Sequence, residues 1–221
     1  MSEPPRRALQ WRALHPEHLS AMHELHLLSI AGMAVQVVKP ETIEFLHSLL
    51  RGRGRVIGAW QDEALIAYGV LQYELLAEDE PRALLGLAAD HPIAKLAGAA
   101  VAPAWRGQGL QRQLIERRLG WAGGAALFAT AAPGNVPSWH NLLACGFAVR
   151  ALQYRYGGHP RYLLARVPDA RVEPTHAHAQ ELAPDRLPLQ QQLLDRGWRG
   201  IAPGRAPGSL RVVPPLTDAP S

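Results

Sequence analysis

A glycine-bearing turn between a predicted strand and a predicted helix is the part of the sequence best suited to chemistry. The segment reads VAPAWRGQGLQ from Val101 to Gln111. Gly107 and Gly109 lack Cβ atoms, so an anion can approach the backbone closely. A helix that begins after them presents unpaired N–H groups and a partial positive charge, and Arg106 adds a full charge. The segment therefore predicts a site for a phosphate-bearing ligand.

Two common phosphate-binding motifs do not fit this segment. A P-loop requires a Gly-Lys pair followed by Ser or Thr, four residues after its first glycine, and no such string occurs in the chain. A dinucleotide-binding fingerprint requires a third glycine three residues after the second, but Arg112 stands there. The turn therefore fits neither class of nucleotide site.

The turn resembles the acyl-CoA signature of the GNAT superfamily of N-acyltransferases. That signature has Arg or Gln, two further residues, Gly, one further residue, and then Gly or Ala. Arg106 and Gly109 match the signature, whereas Gln111 departs from it at the last position. The resemblance implies that this segment binds the pyrophosphate of acetyl-CoA, the acyl donor.

A second block downstream is similar to the same family. It consists of Asn135-Val-Pro-Ser138, then Leu142, then Gly146-Phe147. In members of the family this Asn and the helix after it flank the pantetheine arm of CoA, and Gly-Phe begins the next strand. The two blocks occur in the expected order, and the resemblance covers roughly residues 8 to 167.

The resemblance implies a fold of the α/β (α+β) type. A mixed central sheet of about six to seven strands is flanked by helices. The strand that ends at Val101 should splay from the strand Ala125 to Ala131, and the pantetheine arm inserts between them. The residues expected to bind acetyl-CoA are Val101, Arg106, Gly107, Gln108, Gly109, Leu110, Gln111, Asn135 and Ser138.

The same resemblance implies direct acyl transfer in a ternary complex, with backbone amides near Val101 polarising the thioester carbonyl. Relatives often use a Tyr, seven residues after the Asn, to protonate the departing thiolate, but this chain has Leu142 there. Ser138, Tyr154 or water could take that role, and Ser138 fits a helix cap equally well.

A catalytic carboxylate is also missing from its usual place. Many relatives have a Glu on the strand before the motif, yet Ala94 to Val101 contains only Lys95 as a charged residue. Glu74, near the end of another predicted strand, is the alternative base, and an exposed salt bridge is the competing interpretation. The catalytic residues are therefore unassigned, with Ser138, Glu74 and Tyr154 as candidates.

Helical and alternating apolar spacing predicts the elements that position these residues, in the order βααββ, βα, βα, ββ. The predicted strands are residues 8–13, 56–60, 65–76, 94–101, 125–131, 148–156 and 161–167, and the predicted helices are residues 16–29, 40–50, 109–120, 137–144 and 187–196. In the helix 109–120 we expect one face towards the core, formed by Leu110, Leu114 and Leu119, and an outward face formed by Arg112, Arg117 and Arg118.

The composition changes after Val167, since residues 168 to 221 contain nine prolines. We divide the chain into an acyl-CoA-binding catalytic domain, residues 1 to 167, and a Pro-rich linker with a C-terminal extension and one short helix, residues 168 to 221. Pro168 to Pro184 is the expected linker. An apolar stripe in the extension should dock on the catalytic domain or on a second subunit; it comprises Leu187, Leu189, Leu193, Leu194, Trp198 and Ile201.

The composition favours a cytoplasmic protein with no membrane association. The chain has 221 residues, 48% of them hydrophobic, which suffices for a substantial core. The N-terminus lacks an apolar signal-peptide region, and the apolar stretches are shorter than the ~18 residues that cross a bilayer. The single cysteine, Cys145, excludes an intramolecular disulfide, and we expect it in the core.

Charge and histidine clusters suggest two further classes of site. The net charge of +4 is compatible with nucleic-acid binding, but no docking motif accompanies it, and a polyphosphate cofactor explains the arginines around the turn equally well. We expect no nucleic acid and no metal, because the histidines of the first helix lack a supporting carboxylate pair. These histidines are His15, His18, His23 and His26.

Three functions follow from these observations. The first is an N-acetyltransferase that acylates a primary amine of a small-molecule or peptide acceptor. The second is a non-catalytic acyl-CoA-binding or regulatory module with the GNAT fold, favoured by Leu142, and the third is a nucleic-acid-binding domain. The apolar loop from Ser29 to Val38 indicates either a hydrophobic portion beside the acceptor amine or packing beneath the sheet. A homodimer is left open.

Overall fold

The computed structural model describes residues 8–168 and 178–215. The chain forms two compact units. The first comprises the described parts of Met1–Gly32, Pro40–Glu74 and Leu96–Trp121, and the second comprises those of Met33–Lys39, Leu75–Lys95 and Ala122–Ser221.

Ten strands occur in the described residues. They are β1 (Gln10–Leu14), β2 (Gly54–Gln61), β3 (Ala64–Gln72), β4 (Ile93–Val101), β5 (Ala126–Ala131), β6 (Ala148–Arg155), β7 (His159–Arg166), β8 (Gln180–Leu182), β9 (Arg199–Pro203) and β10 (Leu210–Val213). The first seven correspond to the seven predicted strands. The last three belong to the extension, where no strand was predicted.

Every predicted helix is present. The described part of the chain contains α1 (Leu19–Ile30), α2 (Ile43–Ser48), α3 (Arg82–Leu85), α4 (Leu110–Trp121), α5 (Val136–Ala144) and α6 (Leu187–Asp195). Pro16 begins a short helical turn, Pro16–His18, directly before α1, as expected for proline in a first turn. Over the described ranges, no helix has both the length and the apolar character that crossing a bilayer requires.

In the first unit, strands β1, β2 and β3 pair antiparallel. Strands β2 and β3 form a hairpin, and Asp62 in its turn has a left-handed φ of 52°. Part of β4, Leu96–Val101, follows β3 in the sheet order. Directly after β4, the N–H of Ala102 donates to the Ile66 carbonyl at 2.8 Å, which fixes the end of β4 against β3.

Helices cover both faces of this three-strand sheet, because successive side chains of a strand point to opposite faces. On one face, Val56, Trp60 and Tyr68 pack with Met22, Leu25 and Leu46 from α1 and α2. On the other face, Ile57, Ala59 and Ile66 pack with Leu110 and Leu114. The inward positions of Leu110 and Leu114 are confirmed, whereas Leu119 is only half-buried. The position of α4 is therefore fixed by burial of its first two turns.

In the second unit, the beginning of β4 pairs in parallel with β5 over three residues, from Ile93 opposite Ala126 to Lys95 opposite Phe128. Strand β5 pairs antiparallel with β7, and β7 pairs antiparallel with β6. The sheet is thus mixed, as expected for this fold. Its buried cluster includes Phe128 and Leu163.

The described part of the extension belongs to the second unit and packs on β6 and β7. Strand β9 pairs with β6 through Gly200 opposite Val149, and β10 pairs antiparallel with both β9 and β8. From α6, Leu193 and Leu194 are buried, and Gln190 accepts a 2.6 Å hydrogen bond from the Tyr162 hydroxyl. The predicted docking of the apolar stripe is confirmed for Leu193 and Leu194.

The region predicted as a linker needs a correction. Within Pro168 to Pro184, Gln180–Leu182 forms β8, and residues 169–177 lie outside the described residues. A three-residue strand has too few positions to show alternation, so its pairing with β10 could not be inferred from local sequence.

Gly200 provides a test of the packing between β6 and the extension. A Cβ at this position would lie 2.8 Å from Leu210 Cδ2 and 2.9 Å from Val149 Cβ. Gly200→Ala should therefore lower the free energy of unfolding by about 1 to 3 kcal/mol. Gly120→Ala in α4 is the matched control, because no atom lies within 4 Å of its added Cβ, and alanine favours helix by up to about 1 kcal/mol. Urea titration measures both; a Gly200→Ala variant as stable as wild type would contradict this packing.

Candidate functional site

The predicted turn has the geometry expected of an anion site. After β4 the chain forms a short helical turn, Pro103–Trp105, then two glycines in left-handed conformation, with φ of 76° at Gly107 and 74° at Gly109. Helix α4 begins directly after Gly109, whose carbonyl accepts its first helical hydrogen bond from the N–H of Gln113 at 3.1 Å. A Cβ on either glycine would meet no atom within 4 Å. Glycine is therefore needed here for the backbone dihedral and not for space.

This arrangement favours a phosphate group. Residues 106–109 are exposed, whereas Leu110 is buried and anchors the start of α4. The first turn of a helix has N–H groups without intrahelical acceptors, and the helix dipole is positive there. An anion at this end would accept hydrogen bonds from the backbone itself.

Arg106 has a structural contact that the sequence did not reveal. Its Nη2 donates to the carbonyl of Ser29, in the last turn of α1. A cation at a helix C-terminus neutralises the negative end of the dipole. Arg106 therefore joins the turn to α1 while its side chain stays exposed.

The predicted outward position of Arg118 is wrong. Its side chain is 2% exposed, and it donates from Nη1 to the Val70 carbonyl at 3.0 Å and from Nε to the Leu114 carbonyl at 2.9 Å. A Cβ at Gly69 would lie 3.0 Å from the guanidinium carbon, so the absent side chain there leaves room for it. Arg118 fastens α4 to β3.

A hydrogen-bonded group centred on His26 supports α1 beneath the turn. Nε2 of His26 accepts from the N–H of Glu41 at 2.9 Å, so Nδ1 carries the proton and donates to the hydroxyl of Tyr68 at 3.1 Å. The hydroxyl of Ser29 donates to the His26 carbonyl at 2.8 Å. Burial, and secondarily the charge of His23, lowers the pKa of His26. The imidazole is therefore neutral where it joins α1 to β3.

The second sequence block forms the start of α5 in the second unit. Asn135 precedes the helix as its N-cap residue and accepts at its carbonyl from the N–H of Ser138 at 3.0 Å. Ser138 is half-buried in the first turn of α5, so it is not the helix cap that the sequence suggested. Leu142, one turn later, is buried. No phenol replaces the missing Tyr at this position.

The candidate base Glu74 and the charged residue of β4, Lys95, both take part in ion pairs. Glu74 lies after the end of β3, its side chain is 68% exposed, and it pairs with Arg53 at 3.4 Å, as in the competing interpretation. Lys95 is buried and pairs with Asp79 at 2.5 Å, and Asp79 also pairs with Arg155 at 2.6 Å. A charged residue inside an otherwise apolar strand was the only sequence signal for this buried group.

Tyr154 lies apart from the other candidates of the second unit. It is 53% exposed on β6 and lines an open cleft of about 540 Å³ together with Glu78, Leu84 and Asp195. Neither Asn135 nor Ser138 lines this cleft. Tyr154 and Ser138 therefore do not share this cleft.

Histidines of the chain and its cysteine take part in local contacts in the described residues. Within residues 8–168 and 178–215, no three His, Cys, Asp or Glu side chains converge as a metal-binding group. The imidazole of His18 accepts from the His15 N–H at 3.0 Å. Cys145 is half-buried at the end of α5 and not in the core as predicted.

The glycine turn and the block at Asn135 both lie within a single family match. The family model described as Acetyltransferase (GNAT) family matches residues 19–147. This range contains both the glycine turn and α5. No curated protein matches the chain significantly.

Solved acetyltransferases have a similar fold. A ribosomal-protein N-acetyltransferase from Escherichia coli is 17% identical with a TM-score of 0.52, covering 72% of this chain and 92% of that chain. A putative acetyltransferase from Salmonella typhimurium, solved with its cofactor acetyl-CoA, is 14% identical with a TM-score of 0.55, covering 75% and 97%. An N-acetyltransferase from Staphylococcus aureus is 14% identical with a TM-score of 0.56, covering 72% and 97%.

The neutral His26 predicts a pH-dependent stability. Because the folded-state pKa is lowered, the unfolded chain binds more protons below about pH 6.5, its ordinary pKa, and the stabilisation present above that pH is lost as the pH falls. His26→Gln retains one donor and one acceptor but does not titrate. Urea unfolding from pH 8 to 5 should show a smaller loss of stability in His26→Gln than in wild type. Parallel curves for the two proteins would contradict the assignment.

Proposed function

The chain belongs to the acetyltransferase (GNAT) family, and we propose that it transfers an acetyl group from acetyl-CoA to a primary amine of a small-molecule or peptide acceptor. The observation that carries the proposal is the exposed turn before α4, in which Gly107 and Gly109 are left-handed. At this turn a polyphosphate can reach backbone donors at the start of a helix, and Arg106 and Gly109 of the turn also match the acyl-CoA signature of the family.

In this proposal the turn binds the pyrophosphate of acetyl-CoA mainly through backbone amides, and Asn135 with the start of α5 contacts the pantetheine arm. The half-buried Val101, at the end of β4, packs against the cluster that holds α4, so the end of the strand and the turn form one rigid support. The full set of proposed contacts is Val101, Arg106, Gly107, Gln108, Gly109, Leu110, Gln111, Asn135 and Ser138.

The reaction needs no acyl-enzyme. The unprotonated amine attacks the thioester carbonyl carbon, and backbone amides near Val101 stabilise the oxyanion that forms. The new C–N bond is retained while the C–S bond breaks, and the sulfur leaves with the electron pair. The amine nitrogen loses a proton to water or a base, and the thiolate gains one to give CoA.

We propose Ser138 as the group that delivers the second proton, directly or through water. Glu74 is exposed and paired with Arg53, and Tyr154 faces a different cleft. Ser138 lies four residues before Leu142, so the two side chains share one face of α5. It is thus the nearest hydroxyl on the helix where relatives have their Tyr.

The apolar loop from Ser29 to Val38 supports an acceptor amine with an apolar portion. In the described structure Met33 and Val35 are exposed and Val37 and Val38 are half-buried, which agrees better with a ligand-facing loop than with packing beneath a sheet.

We also propose that the reaction takes place in the cytoplasm.

The buried Leu142 favours a second candidate function, a GNAT-fold module that binds acyl-CoA without turnover. Incubation with acetyl-CoA and a panel of amines, followed by detection of free thiol, separates the two. Amine-dependent release of thiol supports the enzyme, and binding without release supports the module.

The turn generates a prediction about affinity. Gly109→Glu adds bulk and a negative charge where the phosphates must lie, so it should weaken acetyl-CoA binding more than Arg106→Ala. The latter removes one charge-assisted contact, and we expect a loss of about 1 to 2 kcal/mol, or roughly 5- to 30-fold in Kd. Calorimetric titration of the two variants measures the order.

Gly123→Glu is the matched control for this prediction. Gly123 also has a left-handed φ, 59°, with no atom within 4 Å of an added Cβ, so it imposes similar backbone strain away from the turn. It should bind acetyl-CoA as wild type does. Wild-type affinity in a folded Gly109→Glu variant, with folding checked by circular dichroism, would place the cofactor elsewhere.

Ser138 generates a separate prediction about turnover. Ser138→Ala should lower kcat at least ~100-fold, the lower limit of what a positioned acid contributes, and leave the Kd for acetyl-CoA within about threefold. Tyr154→Phe removes the other hydroxyl and should leave kcat unchanged. If Ser138→Ala turns over at the wild-type rate, water or another group protonates the thiolate.

A further inference from the structure

A buried guanidinium in the second unit lacks a partner for one of its nitrogens. Arg161, on β7, is 4% exposed. Its Nη1 donates to the carbonyls of Gln36 at 2.7 Å and Pro160 at 2.9 Å. Its Nη2 is buried and makes no hydrogen bond. One arm of the fork is thus occupied by the loop 33–39, and the other arm has no acceptor among the described residues.

A second cation, Lys39, lies near the same aromatic ring as Arg161, and neither charge is paired with a described carboxylate. The ring of Tyr156 has the Arg161 guanidinium 5.5 Å from its centroid and the Lys39 ammonium 4.9 Å from it. In the part of the chain that the structure describes, neither Lys39 nor Arg161 takes part in an ion pair. The group therefore carries two positive charges around one neutral ring.

The other buried cations of the described residues, Lys95 and Arg118, have acceptors. Lys95 and Arg155 share the carboxylate of Asp79, and Arg118 donates to two carbonyls. Arg161 has neither a carboxylate nor a full set of acceptors, although an unpaired buried donor is costly. A ligand that supplies the missing acceptor would remove this cost.

The segments around Arg161 present apolar surface beside the two charges. Met33 and Val35 precede Gln36 in the loop that Arg161 holds, and both are exposed. Tyr156 is also exposed, and it has a left-handed φ of 54°, which is uncommon for an aromatic residue. The surroundings thus combine a guanidinium, an ammonium and exposed apolar side chains.

We propose that Arg161 and Lys39 bind the carboxylate of the acceptor, so that the acceptor class is an amine that carries both a carboxylate and an apolar group. This inference rests on the proposed acetyl transfer and specifies its second substrate. A carboxylate oxygen accepts from Nη2 of Arg161, as guanidinium–carboxylate pairs commonly do, while the ammonium of Lys39 adds charge. Apolar α-amino acids are the smallest molecules with all of these features.

Pairs of acids and amides isolate the contribution of the carboxylate. L-leucine with L-leucinamide and L-methionine with L-methioninamide differ only at that group. We would titrate each into the protein saturated with CoA, which forms a complex that cannot react. The variants are Arg161→Gln, Lys39→Gln and, as a matched control, Arg211→Gln, which removes an exposed cation of β10.

The expected result is that wild type binds each acid at least ~10-fold tighter than its amide, the scale of one charge-assisted contact. The ratio should fall to about one in Arg161→Gln and decrease at least ~3-fold in Lys39→Gln, whereas Arg211→Gln keeps it. Because Lys39 is exposed, Lys39→Gln provides a test even if Arg161→Gln does not fold.

Several outcomes would overturn the inference. They are equal affinity of wild type for acid and amide, no binding of either, or an unchanged ratio in folded Arg161→Gln. A weaker affinity of Arg161→Gln for CoA itself, with no effect on the ratio, would assign the anion to a CoA phosphate and also overturn it. Failure of the proposed function looks different, because wild type would then release no free thiol from acetyl-CoA with any amine of the panel, whatever its affinity for the acids and amides.

Discussion

The left-handed backbone at Gly107 and Gly109 is the constraint on which the candidate site depends. An L side chain in that conformation costs roughly 1 to 2 kcal/mol per residue. The two glycines, one on each side of Gln108, let the chain turn from β4 into α4 within a few residues. The conformation directs the first turn of α4 towards solvent while Leu110 stays buried. Any ligand at this end meets main-chain donors, which substitution of a single side chain does not remove.

Contacts with neighbouring elements hold the turn in place. Helix α4 is held by Leu114 in the core and by Arg118 on the Val70 carbonyl, and Arg106 ties the turn to the last turn of α1. Helix α1 is in turn joined to β3 by the neutral His26. A preorganised set of amides loses little conformational entropy when an anion binds, which lowers one of the costs of binding.

Local sequence was sufficient for the strands up to Val167 and for every described helix there except α3, because their apolar spacing is regular and their turns contain Gly, Pro or Asn. It failed for Arg118 because the charge was given more weight than the spacing: Arg118 lies four residues after Leu114 and so shares its inward face. The carbonyl acceptor and the space at Gly69 that permit burial are tertiary features. The strands of the extension were missed because pairing of three to five residues depends on distant partners such as Val149. Likewise, the sequence did not indicate a role for Arg161, because only the fold shows that its Nη2 is buried without a hydrogen-bond acceptor among the described residues.

The central claim is that backbone amides at the start of α4 bind the phosphates of acetyl-CoA. Amide hydrogen exchange of residues 106–113, measured with and without saturating acetyl-CoA, tests it most directly, because it observes the proposed donors themselves. The account predicts that exchange at the amides of Gly107 to Gln111 slows on binding, while the exposed turn at Gly123 is unaffected. Unchanged exchange at Gly107 to Gln111 in a protein that has bound acetyl-CoA would contradict it.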